Sequence, residues 1–287
     1  MKKTLIALVV ATSAVTSYSA MAWQEGDFNG TVNIGGVITD DNYKAKWSWD
    51  IGSDLNSFSN KVSEMTDSGK KLTISVTENK SILLGKTTEA SFAPSRGVGA
   101  APNISFTDYK GVPVQLSETG TDGKVKLVLP MKNNTDQEIG NLTVNATAVG
   151  YMVAGTSALS TSLINSLYAD NSFDALFGGV QMNSANAIQK GNAAASKVAA
   201  LGGVTLNELM DQLKAKHANI SGSVFDRNTV QATDWTNFAS NKYPDAVAAA
   251  GYALGIESGE KIEANFNTAV NKTTEWKAPL NVQVSYQ

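Results

Sequence analysis

His217 is the only histidine in 287 residues, and there is no cysteine. Those counts remove thiol nucleophiles, disulfide frameworks, iron-sulfur clusters and Cys-rich zinc sites, and any Ser-His-Asp chemistry would have to run through one imidazole. His217 follows Leu213 by four positions, beside Lys214 and Lys216 at the end of an amphipathic stretch. A helix-end histidine favoured by the helix dipole fits that place better than a general base. Arg96-Gly97-Val98-Gly99 is a glycine pair with no helix after it, and no G-x-x-x-x-G-K-[ST] occurs, so a nucleotide site is not expected. Asp40-Asp41 lacks the spacing of a calcium loop and fits a solvated turn. A secreted glycan-acting hydrolase would need paired carboxylates, and no pattern marks any. The expectation is a protein that is not an enzyme and uses no cofactor and no metal.

Such residues as remain must be positioned by ordinary core-forming elements. Apolar residues make up 42% of the chain, enough for a sizeable core, and 23 Lys+Arg against 26 Asp+Glu give no basic excess to neutralise phosphates. No nucleic-acid partner is expected. Lys2 and Lys3 precede an apolar run from Leu5 to Ala11, and Ala20-Met21-Ala22 closes the segment before Trp23, the proportions of a secretory signal. Removing residues 1–22 with their two lysines takes the net charge from −3 to −5. No later apolar stretch approaches the ~20 residues that span a bilayer, so a released product is expected. An exported chain without disulfides must find stability in core size, oligomerisation or a partner strand.

Period-2 alternation recurs from Trp47 onward: Trp47, Trp49, Ile51; Leu72, Ile74, Val76; Val112, Val114, Leu116; Val125, Leu127, Leu129; and Leu142, Val144, Ala146. Turn residues at Ser68-Gly69, Asp122-Gly123 and Asn133-Asn134 separate the runs. The pattern returns in Ile262, Ala264, Phe266 and in Leu280, Val282, Val284, Tyr286, whose alternates Asn281, Gln283 and Ser285 face the other way. Many short strands of this kind predict an antiparallel sandwich.

Between about 156 and 220 the spacing turns helical. Leu159, Leu163 and Leu167 share a stripe, Ser172 would cap a turn through Phe173 to Phe177, and Ala193 to Leu201 stops at Gly202-Gly203. Thr205-Leu206-Asn207-Glu208 is a capping-box pattern, followed by Leu209, Met210 and Leu213. A helical insertion over about 151–245 is expected, and inserted segments are where binding surfaces usually lie. Ala246 to Ile256, with Pro244 near its start, reads by propensity as a short Ala-rich helix.

The first mature residues alternate too. Phe28, Gly30, Val32, Ile34, Gly36 and Ile38 form one apolar or small face, against Asn29, Thr31, Asn33, Gly35 and Val37. Glycine at three of these positions raises the entropy lost on ordering, so the segment is a poor strand by itself. Periodicity leaves two readings open: a first strand paired within its own sandwich, or a segment that orders only when a groove receives it.

Gly26-Asp27-Phe28-Asn29-Gly30-Thr31-Val32-Asn33-Ile34-Gly35-Gly36 and Lys46-Trp47-Ser48-Trp49, behind a signal peptide, resemble the FaeG-like major subunits of chaperone-usher fimbriae from enteric bacteria. Leu83-Leu84-Gly85, Phe106-Thr107-Asp108-Tyr109, Val128-Leu129-Pro130-Met131-Lys132-Asn133, Tyr252-Ala253-Leu254-Gly255-Ile256 and Trp276-Lys277-Ala278-Pro279-Leu280-Asn281-Val282 resemble that family's blocks in the same order. The resemblance covers nearly the whole mature chain and is weakest in the helical region, where Ser166-Leu167-Tyr168-Ala169-Asp170 and Gly191-Asn192-Ala193-Ala194-Ala195 remain as landmarks.

The resemblance implies a mainly β fold, an incomplete immunoglobulin-like antiparallel β-sandwich with a helical insertion, completed by donor-strand exchange. The implied parts are a signal peptide (1–22), a donor-strand extension (23–40) and a pilin domain (41–287). Phe28 to Ile38 would enter a neighbouring copy, whose own edge is supplied partly by Leu280, Val282, Val284 and Tyr286. The resemblance also makes Ala246 to Ile256 a strand. Implied partners are neighbouring copies of the same subunit, a periplasmic chaperone, an outer-membrane usher and host glycans on glycoprotein or glycolipid. Export through the periplasm to an extracellular fimbrium on the bacterial surface follows from the same resemblance. The family's sugar site maps to Tyr168, Asp170 and Phe173, with Phe173 standing where the pattern has an arginine. A tyrosine stacking on a sugar and an aspartate accepting hydroxyl bonds would make a shallow site; the other reading has Tyr168 and Phe173 packing the insertion against the sandwich. A non-adhesive polymeric surface antigen is the alternative function.

Overall fold

A strand that buries one face needs apolar residues at every second position, and most of the alternating runs meet that condition. The computed structural model describes residues 46–53, 55–92, 101–232 and 245–286. The segment from Phe28 to Ile38 therefore lies outside the described residues. In chain order the elements are β1 (Trp47–Ile51), a 3-10 turn (Val62–Glu64), β2 (Lys71–Ser75), β3 (Lys80–Thr87), β4 (Ser91–Phe92), β5 (Pro102–Asp108), β6 (Pro113–Val114), β7 (Ser117–Glu118), β8 (Lys124–Lys132), β9 (Glu138–Gly155) and β10 (Ser162–Tyr168). Then follow α1 (Gly191–Ala200), α2 (Leu206–Lys216), β11 (Val224–Ala232), β12 (Val247–Ile256), β13 (Lys261–Phe266) and β14 (Leu280–Tyr286). The protein is mainly β, with a small helical part.

The 18-residue β9 organises the larger sheet. Its first half lies between β8 and β13, with Leu142 opposite Leu129 on one side and Ala264 on the other; its second half lies between β10 and β12, with Gly150 opposite Leu167 and Tyr252. The sheet path is β1-β3-β12-β9-β10-β11, and β2, β4, β7, β8 and β13 attach to it. Strands β10 and β11 pair in parallel, unlike the antiparallel pairs elsewhere. A second sheet has the order β14-β5-β6, so β14 forms its edge.

The two sheets face each other across a core that joins Ile104 and Phe106 of the small sheet to Leu127, Leu129, Val144 and Ile262 of the large one. A second core lies on the large sheet's other face, where Tyr151, Val153 and Ile164 meet Val198 of α1 and Leu209 and Leu213 of α2. Strand β12 is buried at all ten positions because it runs between these cores. That explains why Ala246 to Ile256 shows no alternation, and why small residues occupy it. A Cβ added to Gly251 would sit 2.3 Å from Val204 Cγ1. The strand reading holds over the helical propensity.

Three sequence expectations need correction. Leu163 and Leu167 lie on β10, not on a helix; with both faces of that strand largely buried, apolar spacing no longer reports its period. Residues 171–182 form successive turns, so Ser172 caps no helix. Val112, Val114 and Leu116 give only the two-residue β6, and Val112 is exposed. The two helices do form near their expected bounds. Gly202 takes φ +92° just after α1, and Thr205 Oγ1 accepts the Glu208 N–H (3.3 Å) while the Glu208 carboxylate accepts the Thr205 N–H (2.8 Å).

Candidate functional site

Along one side of the sandwich the sheets stand apart. A cleft of about 680 Å³ opens between them. Leu127 and Leu129 of β8, Leu142 and Val144 of β9, and Ile262 of β13 line it from the large sheet, and Leu280 and Val282 of β14 line it from the small one. Alternation aims these side chains to one face of their strands, so the sequence pattern itself produces an apolar cleft. β14 pairs with β5 along one edge, from Leu280 opposite Asp108 to Tyr286 opposite Pro102. Among the described residues no strand pairs with its other edge. Its four apolar side chains are only half-buried, whereas the equivalent positions of β8 are fully buried. Ile51 of β1, expected on a core face, is instead 66% exposed and lies at this cleft.

The rim comes from irregular segments. Trp276 to Pro279 is held against the end of β8 by two backbone bonds, Lys132 N–H to Lys277 O (2.8 Å) and Lys277 N–H to Lys132 O (2.9 Å). Leu55 and Phe58 complete the wall. Sequence reasoning found Leu280 and Val282 but missed Leu55 and Phe58, which belong to no periodic run and carried no signal. Trp276 was visible only within a block of family resemblance.

The proposed sugar-site residues fall at the end of β10 and in the loop after it. Tyr168, the last residue of β10, is half-buried; Asp170 is exposed; Phe173 is 83% exposed. Phe173 thus does not pack the segment against the sandwich. The loop closes on itself where Ala169 N–H donates to Gln181 O (2.9 Å), and it docks on β5 through Leu176 N–H to Pro102 O (2.6 Å) and Ile104 N–H to Phe177 O (2.8 Å). Gly178, at φ +77°, permits that approach, since a Cβ there would lie 2.2 Å from Ile104 O. Buried Asp174 accepts the Asp170 N–H (3.2 Å) and Asn171 Nδ2 (2.9 Å), which fixes the turn carrying Asp170 and Phe173. Asn171 Nδ2 also donates to the Asp170 carboxylate (2.9 Å). Tyr252 ties loop to core through a 3.0 Å bond to Gly179 O, and burial pushes its phenol far above the usual tyrosine range.

His217 is the C-cap of α2, its N–H donating to Leu213 O (2.9 Å). Its Nε2 lies 3.6 Å from Asp245. Asp245 accepts the hydroxyls of Ser157 (2.5 Å) and Thr156 (2.5 Å), which hold its carboxyl well below the usual range. The serine proton is therefore directed to the aspartate, not to the imidazole. Among the described residues, no group of three or more His, Cys, Asp or Glu could hold a metal ion, and no helix is long and apolar enough to cross a membrane.

The described residues thus form an unclosed, mainly β two-sheet sandwich with a flanking helical pair. The family described as "Fimbrial, major and minor subunit" matches residues 1–287. The K88 fimbrial proteins AC and AB of Escherichia coli are 42% and 43% identical to the chain, each over 100% of both chains. The F41 fimbrial protein of Escherichia coli is 33% identical, again over 100% of both. The chain belongs to this fimbrial subunit family. It is a structural component of an extracellular surface appendage built from copies of the same subunit.

Proposed function

We propose that the subunits join by strand donation: residues 23–40 of one copy enter the cleft of the next and pair with the edge of β14 that faces away from β5. The observation that carries this is the apolar cleft of about 680 Å³ beside the edge of β14 with which, among the described residues, no strand pairs. Burying Phe28, Val32, Ile34 and Ile38 at about 1.5 to 3 kcal/mol each would contribute roughly 6 to 12 kcal/mol before ordering costs. Main-chain bonds to β14 add about 1 kcal/mol net apiece. On this reading 1–22 is a removed signal peptide and 41–287 the receiving domain with its insertion at about 151–245. A periplasmic chaperone covers the cleft during export, and an outer-membrane usher exchanges it for the next subunit. The mature chain lacking residues 23–40 should stay monomeric and unstable, and a peptide of Gly26 to Ile38 should restore its stability. A truncated chain that polymerises, or one that melts at the same temperature with and without the peptide, rejects the scheme.

The exposed Phe173 favours a second role, adhesion to host glycans through Tyr168, Asp170 and Phe173. An aromatic ring held clear of the core beside an accepting carboxylate suits a sugar's C–H face and hydroxyls. Tyr168→Ala with Asp170→Ala should abolish binding of assembled fibres to a glycan array while assembly continues. Unchanged binding would remove this loop from consideration and leave a non-adhesive polymer.

A further inference from the structure

The cleft does not run the length of β14. Leu280 and Val282 line it, but Val284 and Tyr286 do not. At that far end Trp49 Nε1 donates a 3.0 Å hydrogen bond to Tyr286 Oη. Trp49 lies on β1 and Tyr286 on β14, so the bond joins an edge strand of one sheet to an edge strand of the other. The indole is firmly placed. It stacks on Trp47 at 5.5 Å between centroids, meets Tyr252 edge-on at 6.0 Å, and lies over Gly85, where a Cβ would come within 2.4 Å of the ring. At ~3.3 Å per residue, a segment from Phe28 to Ile38 is at least as long as β14 itself and needs its whole edge.

We infer that Trp49 and Tyr286 are positioning residues that form a clasp across one end of the receiving cleft. An incoming strand seats first against Leu280 and Val282, and it completes pairing with β14 only after the clasp opens. The inference rests on the strand-donation reading. It assigns the open end of the cleft as the point of entry and the aromatic end as the last to zip.

The test follows assembly of the full mature chain, refolded from denaturant, by the appearance of SDS-resistant multimers with time. Tyr286→Phe keeps the ring and removes the hydrogen-bond acceptor; Trp49→Phe removes the donor. If a bond of ~1 kcal/mol must break before the slow step, either variant should assemble about five-fold faster, and the double variant no faster than the singles. A contact that serves stability alone would lower the denaturant midpoint of the monomer without changing the assembly rate. Rates equal to wild type or slower, with unchanged circular dichroism, overturn the clasp while leaving strand donation standing. A wild-type chain that forms no SDS-resistant multimers overturns strand donation, and the clasp with it.

Discussion

Glu257 shows how single side chains knit the layers together. It follows directly on β12, and its carboxylate accepts bonds from Lys197 of α1 (2.5 Å), Lys124 of β8 (3.0 Å) and Thr147 of β9. Burial pushes its pKa up, but the bonds from Lys197, Thr147 and Lys124 outweigh burial and bring it down to about 2 from an ordinary 4.5. A folded-state value below the unfolded one contributes stability that is fully present above about pH 4.5 and is lost as pH falls toward 2. Glu257→Gln should therefore cost about 2 kcal/mol at pH 7, less than the full shift implies because the lysines remain partly solvated. Urea midpoints of wild type and variant should differ at pH 7 and converge by about pH 2 to 3. A gap that persists unchanged at low pH would mean that the group acts by packing and not by charge.

At the scale of elements, α2 is the clearest case of local sequence in agreement with tertiary need. Thr205 and Glu208 cap it reciprocally, and Leu209, Met210 and Leu213 enter the second core. Thr205→Ala should cost about 1 kcal/mol and lower the melting temperature by about 2 to 4 °C, with Thr205→Ser close to wild type; equal melts for Ala and wild type would deny the cap a role. The same elements show what was legible in advance. Strands with one buried face declared themselves, as in Leu72 and Ile74, Leu127 and Leu129, Ile262 and Ala264, and the β14 quartet of Leu280, Val282, Val284 and Tyr286. Strands buried on both faces did not: β10 passed for a helix through Leu163 and Leu167, and β12 reads by propensity as an Ala-rich helix, its strand reading coming from the family resemblance, because only period separates the two and double burial erases it. Of the candidate site, β14 could be read from alternation, but the Leu55, Phe58 and Trp276 rim could not. The loop after Tyr168 has turns fixed by distant partners, Pro102 and Ile104 on β5 and Glu118 on β7, which accepts the Met182 N–H (2.7 Å); no local pattern encodes them.

For the molecule as a whole, the open cleft sets a balance between monomer stability and assembly that one substitution can tip. Leu129, Val144 and Ile262 are buried in the core between the sheets, yet they also form the floor of a space that nothing among the described residues fills. A larger side chain on the floor of such a space need not overpack the core, because it can extend into the opening. Val144→Trp should leave the monomer's urea midpoint equal or raise it, while cutting the yield of SDS-resistant multimers by about ten-fold or more, the effect of ~1.4 kcal/mol or greater lost from strand insertion. Val128→Trp is the matched control, since Val128 is 50% exposed and does not line the cleft; it should leave assembly unchanged. Equal loss in both variants would point to a general folding defect, and equal assembly in both would mean that neighbouring subunits are joined somewhere other than this cleft.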